Sequence, residues 1–116
     1  METNQEVKIK VGDVFDMSWG YDQTNTQFFQ VTRLTPKGVY VREIGYKAVE
    51  QTQGFMCQYV NPTPDTFLKH SQWTGEGNPE LLRKIGYTSG KPYFSLGRSY
   101  CAFLWDGKAC YQSWYA

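Results

Sequence analysis

Phe29-Gln30-Val31-Thr32-Arg33-Leu34, then Pro36-Lys37-Gly38, then Val39-Tyr40-Val41-Arg42-Glu43-Ile44, decides the fold class. Both flanks are rich in β-branched and aromatic residues and alternate along the chain, whereas Pro36 and Gly38 punctuate the space between them; the pattern predicts a β-hairpin. Phe29, Val31 and Arg33 share one face of the first strand and Gln30, Thr32 and Leu34 the other. In the second strand Val39, Val41 and Glu43 alternate against Tyr40, Arg42 and Ile44. Phe29, Val31, Val39 and Val41, with Phe55 further on, are the expected core.

Upstream, Val7-Lys8-Ile9-Lys10-Val11 reaches Gly12-Asp13 and continues as Val14-Phe15-Asp16-Met17, a first strand with a kink or bulge at the glycine. Downstream, strands are expected over 47–53 and 55–60. Asn61-Pro62-Thr63-Pro64-Asp65 then breaks regular structure, and 61–80 reads as a loop-rich insertion whose 66–80 part is expected to be mobile, with a short helical turn at Thr66-Phe67-Leu68-Lys69. Asn78-Pro79 could open a helix that ends at Gly86. The aromatic flank favours instead a strand over 82–87, a turn at Thr88-Ser89-Gly90-Lys91 and a return through Pro92-Tyr93-Phe94-Ser95-Leu96. Asp106-Gly107 marks the last tight turn, before a strand over 109–115. Short strands and few helix signals describe one mainly β domain over 1–116, with a flexible tail at 1–6. Its form is a small antiparallel β-barrel or strongly bent sheet, SH3-like in the order of its first strands, with at most one or two short helical turns.

With 116 residues the chain has room for one core. Twelve Lys and Arg balance eleven Asp and Glu, leaving a formal charge of +1 with no basic block. That disfavours extended duplex nucleic acid, which draws on many phosphate contacts. No apolar run is long enough to span a bilayer and the polar start lacks a signal peptide's apolar segment, so a cytoplasmic protein is expected. Cys57, Cys101 and Cys110 make an odd count without a Cys-x-x-Cys pair, which fits reduced, structural thiols. Cys101 and Cys110 could face each other across a hairpin.

Catalytic signals are sparse. The single histidine, His70, lies between Pro64 and Pro79 with no signature around it and reads as a surface residue. Asp13, Asp16 and Asp22 are near in sequence but serve strand entry and loop order more economically than a metal; no catalytic residue, metal site or cofactor is expected, and the chain reads as a non-enzyme. Aromatic content is high at 17%. Trp19, Tyr21, Trp105, Trp114 and Tyr115 stand among polar or flexible neighbours, where they either offer rigid contact area to a partner or, for Trp19 and Trp105, close opposite ends of a barrel. Asp22, Gln23 and Asn25 add hydrogen-bonding groups beside Trp19 and Tyr21. Arg42, Arg98 beside Tyr100, and Asp106 and Lys108 after Trp105 complete the candidate surface, either as ligands of a small nucleotide or as solvated strand-end charges. The loop 19–25 and the segment 105–115 are expected on one surface.

Ser18-Trp19-Gly20-Tyr21-Asp22-Gln23-Thr24-Asn25 and the closing Trp105-Asp106-Gly107-Lys108, with the opening Val11-Gly12-Asp13, resemble a family of small proteins carried by bacteriophages and other mobile elements. The resemblance is strongest over 11–44 and 95–116. It implies a counter-defence context in a bacterial host cell: a protein that binds a host defence protein or captures a small nucleotide signal, with a single-stranded nucleic-acid binder of phage replication or regulation as the alternative. Self-association is compatible with an exposed aromatic patch.

Overall fold

The computed structural model describes residues 8–19, 24–49, 57–97 and 100–113. Within them lie nine strands: β1 (Val14–Trp19), β2 (Asn25–Leu34), β3 (Gly38–Ala48), β4 (Cys57–Phe67), β5 (Leu81–Lys84), β6 (Gly86–Thr88), β7 (Lys91–Ser95), β8 (Cys101–Leu104) and β9 (Cys110–Ser113). All pairings are antiparallel. The sheet runs β6-β7-β8-β1-β2-β3-β4-β9, with β5 also on β3. It is a strongly bent sheet that curls into a half-barrel, and the described residues contain no helix.

The predicted β2–β3 hairpin forms. Thr35 closes it: its Oγ1 accepts from the Gly38 amide at 2.8 Å and donates to the Gly38 carbonyl at 3.0 Å. Gly38 is required for a second reason, because a Cβ there would stand 2.4 Å from the Arg83 carbonyl oxygen of β5. One residue is doubled in β2: Val31 opposes Val41 but Arg33 opposes Tyr40, a bulge that swings the Arg33 guanidinium over the Tyr40 ring, 4.0 Å from its centroid. The kink expected at Gly12 is also present, with φ +96 and its amide donating to Val31 O at 2.9 Å.

The central strands β1, β2 and β3 carry apolar residues on both faces. Phe15, Met17, Phe29, Val31, Val39 and Val41 point inward with Phe94 and Ala102 from β7 and β8, which with β5 wrap around them to make the first core. On the outer face Val14, Phe28 and Ile44 join Val60 in a smaller second core, flanked by Phe67, Trp105 and Cys110. Here β9 folds back on the start of β2, where Ser113 N donates to Thr24 O and Thr24 N to Ser113 Oγ, each at 2.9 Å.

Several expectations are corrected. The chain does not break at Asn61: β4 continues to Phe67, and the break signals mark a wide bulge in which Gly45 alone of β3 faces Thr63 to Thr66 of β4. Prolines are tolerated there because β9 pairs only Cys57 to Val60, leaving the rest of that β4 edge open. No helical turn forms at Thr66 to Lys69, whose first two residues belong to β4. The cysteines are free thiols as expected, and Cys101 and Cys110 do not face each other, since β8 pairs β1 and β9 pairs β4. The strand expected over 47–53 is not separate from the hairpin where described: β3 itself runs on to Ala48, and 50–56, with Phe55, lie outside the described residues. The 82–87 strand and its return appear as β5, β6 and β7 around a Ser89-Gly90 turn.

Candidate functional site

A cleft on the outer face

β3 has an edge shared between two partners. Gly38 to Val41 pair with β5 and Ile44 onward with β4, which leaves Arg42 and Glu43 between them without a strand. Asn78 fills that gap. Its side-chain amide behaves as a peptide group would, accepting from Glu43 N at 3.0 Å and donating to Glu43 O at 2.8 Å, and it further donates to Leu68 O and accepts from Thr74 Oγ1. Asn78 is fully buried at φ +52, a left-handed conformation that asparagine adopts more readily than most residues. Asn78 thus fastens the 68–80 segment near its end. Glu43 adds to this: its carboxylate accepts from Ser71 Oγ at 2.5 Å, and Ser71 Oγ accepts in turn from the Trp73 and Thr74 amides. Burial pushes the Glu43 carboxyl above its usual range, the Ser71 bond offsetting part of the shift.

This fastening shapes a cleft of about 560 Å³ on the outer face, bounded by Gln30 and Thr32 of β2, Arg42 of β3, Asp65 and Phe67 of β4, and the Gly77–Glu80 segment. The β4 bulge sends Asp65 across the sheet, where it and Gln30 exchange two hydrogen bonds: Gln30 Nε2 to Asp65 Oδ1 at 2.8 Å and Asp65 N to Gln30 Oε1 at 2.7 Å. Glu80 accepts from Thr32 Oγ1 at 2.6 Å and from Arg33 Nε at 3.1 Å; the Thr32 bond first, then Arg33, holds its carboxyl below the usual range. Arg42 is held by its Nε, which donates to Asn78 O at 2.8 Å, and by the Phe67 ring, 4.5 Å beneath its guanidinium. Its terminal nitrogens have no protein partner among the described residues. Two acids are thus committed to protein donors while the arginine keeps free donors in a fixed plane, the arrangement that suits a carboxylate or phosphate oxygen pair.

A second cleft of about 350 Å³ adjoins the first, with Lys8, Lys10 and Trp105 along it. Val11 lines one and Gly12 the other, as do Asp65 and Pro64, so the Lys10–Asp13 turn and the β4 bulge divide them. Lys10 is paired with Asp13 at 3.5 Å.

Where the sequence candidates fall

Trp19 and Trp105 lie on opposite faces. Trp19 seals the rim of the first core, in edge contact with Trp73 at 5.5 Å and Tyr100 at 6.0 Å between centroids, and its Nε1 donates to Gln27 Oε1. Trp105 packs edge-on to Phe28 at 6.5 Å in the second core and donates its Nε1 to Lys108 O at 2.7 Å. Alternation decides this: Trp19 follows Phe15 and Met17 by the two-residue period, whereas Trp105 sits opposite Val14. The expected single surface is therefore not formed by these two rings, although their segments touch at Thr24 and Ser113. Asn25 pairs with Trp19 across β1 and β2. Asp106 builds its own turn, Oδ1 accepting from Lys108 N at 2.9 Å, and Lys108 is exposed. Tyr21, Asp22, Gln23, Arg98, Trp114 and Tyr115 lie outside the described residues. Of the candidates, Arg42 and Trp105 line the clefts; sequence reasoning missed Asn78, Asp65, Phe67 and Glu80, whose partners are far along the chain.

The remaining reactive groups are held apart. His70 is exposed and forms no hydrogen bond to another described residue, and no cluster of three metal-ligating side chains occurs among the described residues. Cys110 Sγ lies 3.7 Å from Asp16 Oδ2, and burial together with that carboxylate pushes its thiol up to about 12, which leaves it protonated and inert. Burial likewise raises the Asp16 carboxyl, against the opposing pull of Lys91. No described helix is long and apolar enough to cross a membrane. Comparisons with protein-family models, curated proteins and solved structures found no match.

Proposed function

We infer that this chain is a non-enzymatic binding protein that grips an anionic group of its partner at Arg42. The observation that carries this reading is the arginine itself: oriented by Asn78 O and the Phe67 ring, half-buried, with its terminal nitrogens donating to no described residue. Among the described residues, the acids beside it, Asp65 and Glu80, are held by Gln30, Thr32 and Arg33. In the setting that the phage-family resemblance suggests, the partner is a component of host defence in the bacterial cytoplasm, blocked by occupation. The charge of the two clefts favours a protein over a nucleotide or a nucleic-acid strand: Lys8, Lys10 and Arg42 are matched by Asp13, Asp65 and Glu80, so a polyphosphate would meet as many acids as bases. A second reading, a small nucleotide, draws on Trp105 beside Lys8 and Lys10, where a base could stack with its phosphate on a lysine.

Affinity capture from bacterial lysate separates these. The wild-type chain should retain a protein that Arg42→Ala loses, with retention little changed between about 0.1 M and about 0.5 M salt. A heat-released nucleotide would favour the second reading, and co-purifying RNA or DNA that washes off steeply with salt would favour a nucleic-acid binder. Full retention of every partner by Arg42→Ala would refute the Arg42 site.

A further inference from the structure

One cation and two acids, Arg42, Asp65 and Glu80, line the first cleft, and their charges are not settled in the same way. Glu80 is neutralised by Arg33 at 3.1 Å, and both of its oxygens are taken, one by Arg33 Nε and one by Thr32 Oγ1. Arg42 and Asp65 are held by neutral groups only. Arg42 rests on the Asn78 carbonyl and the Phe67 ring, Asp65 on Gln30, and no ion pair joins the two. Both are nonetheless gathered about one residue. Gln30 stands directly opposite Arg42 on the neighbouring strand, is only 5% exposed, and clips Asp65 through both polar atoms of its side chain. That clip takes one carboxylate oxygen, Oδ1; Asp65 is otherwise exposed, and its Oδ2 has no partner among the described residues. A positive and a negative group thus line one cleft of about 560 Å³, both oriented and neither paired with a counter-charge.

We propose that this cleft takes a free amino acid, with its carboxylate on the Arg42 guanidinium and its ammonium on Asp65 Oδ2. The site rests on the Arg42 reading above and goes beyond it by adding a second, opposite contact. A plain anion is drawn by Arg42 but repelled by Asp65, and a plain cation the reverse, whereas a zwitterion is drawn by both and brings no net charge. The hydrogen-bonding groups match as well. A carboxylate accepts two parallel bonds from a guanidinium plane, and an ammonium supplies donors to a carboxylate oxygen that has none. An α-amino acid carries its two charged groups on a single carbon, which suits two protein charges gathered about the single side chain of Gln30. The remaining lining includes Val11, Phe67 and Pro79, so an apolar ligand side chain meets carbon there.

The test titrates the full, isotopically labelled chain with leucine, with leucinamide, which lacks the carboxylate, and with N-acetylleucine, which lacks the ammonium. Leucine should shift the amide resonances of Gln30 and Asp65 with a Kd of about 10 mM or tighter, and each derivative should bind at least about tenfold more weakly. This comparison is made on the unmodified chain, so it does not depend on the folding of any variant. Asp65→Asn removes the charge but keeps the clip, because its side-chain oxygen still accepts from Gln30 Nε2 and asparagine tolerates the φ of +66 found there. It should bind N-acetylleucine at least as well as leucine. Arg42→Gln should in the same way bind leucinamide at least as well as leucine, a change of order that loss of fold would not produce. Equal affinity for leucine and its two derivatives, no shift with leucine at about 50 mM, or an unchanged order in Asp65→Asn would overturn the proposal. If lysate capture depends on Arg42 while leucine does not bind, the anionic site stands and the amino-acid site is wrong. If leucine binds in the expected order while capture ignores Arg42, the protein-partner reading falls alone; if both fail, both fall.

Discussion

The inner and outer faces of β1, β2 and β3 are built from alternate residues of the same three strands, yet one is sealed and the other is not. The inner face stacks Phe15, Phe29 and Phe94, with ring centroids 5.0 Å and 5.9 Å apart, and is capped by the Trp19, Trp73 and Tyr100 cluster. The outer face begins in the same way at Phe28 and Ile44 under β4 and β9. Two residues further along each strand it changes to Gln30 and Arg42, where only loops and the β4 bulge stand over it. A strand that is apolar on both faces can keep one face for stability and place polar groups at one end of the other for recognition, without giving up its pairing.

That contrast can be broken most severely from the inside. Phe29→Ala should cost about 3–5 kcal/mol, measured by chemical denaturation, because the ring is fully buried in the inner core. A loss under about 1 kcal/mol would mean that the inner core is loosely packed. Asn78→Ala comes next, at about 3 kcal/mol: it leaves the Glu43 amide without its acceptor and two carbonyls without a donor in a closed site. Asn78→Asp should recover little, since a carboxylate cannot donate to Glu43 O and Leu68 O. If Asn78→Ala proves neutral, the segment 68–80 does not depend on this residue and the cleft is not shaped by it.

The effect of Glu43 on pH dependence is smaller and has a definite sign. Its carboxyl is raised from the usual 4.5 by burial, so the folded chain holds that proton more tightly than the unfolded chain. Glu43 therefore contributes a loss of stability as pH rises from about 4.5 towards its raised folded value, and a constant penalty above it. Asp16 acts in the same direction and Glu80 in the opposite one, so the contribution is read as the difference between the wild type and Glu43→Gln, whose side-chain oxygen can still accept from Ser71. The variant should gain on the wild type as pH rises through this window. A difference that is flat or of the opposite sign would show that the carboxylate is solvated in the folded state.

The hairpin, the Gly12 kink, the inward set Phe29, Val31, Val39 and Val41, and the last turns are legible in the sequence because each depends on neighbours a few residues away. Arg42 was singled out for its place after the hairpin among aromatic neighbours, and it lines the first cleft. Asn61 to Asp65 misled because proline and asparagine signal a break locally, and only the open edge of β4 beyond Val60 makes a bulged strand affordable there. Trp19 and Trp105 look alike in their local settings. Their separation follows from register, with β8 set against β1 so that Trp105 falls opposite Val14, and no local pattern encodes that choice. Asn78 had no signal beyond preceding a proline, since the peptide group it bonds belongs to Glu43, 35 residues earlier.

The most direct measurement compares one variant from each face in the same capture experiment: Arg42→Ala on the outer face and Tyr100→Ala at the exposed edge of the inner cluster, both checked by thermal unfolding. With stability loss held to about 1 kcal/mol, or about 5 °C in midpoint, Arg42→Ala should lose the partner by tenfold or more in affinity while Tyr100→Ala keeps it. Loss of the partner by Tyr100→Ala with full retention by Arg42→Ala would place recognition on the aromatic rim of the inner core and contradict the outer-face site.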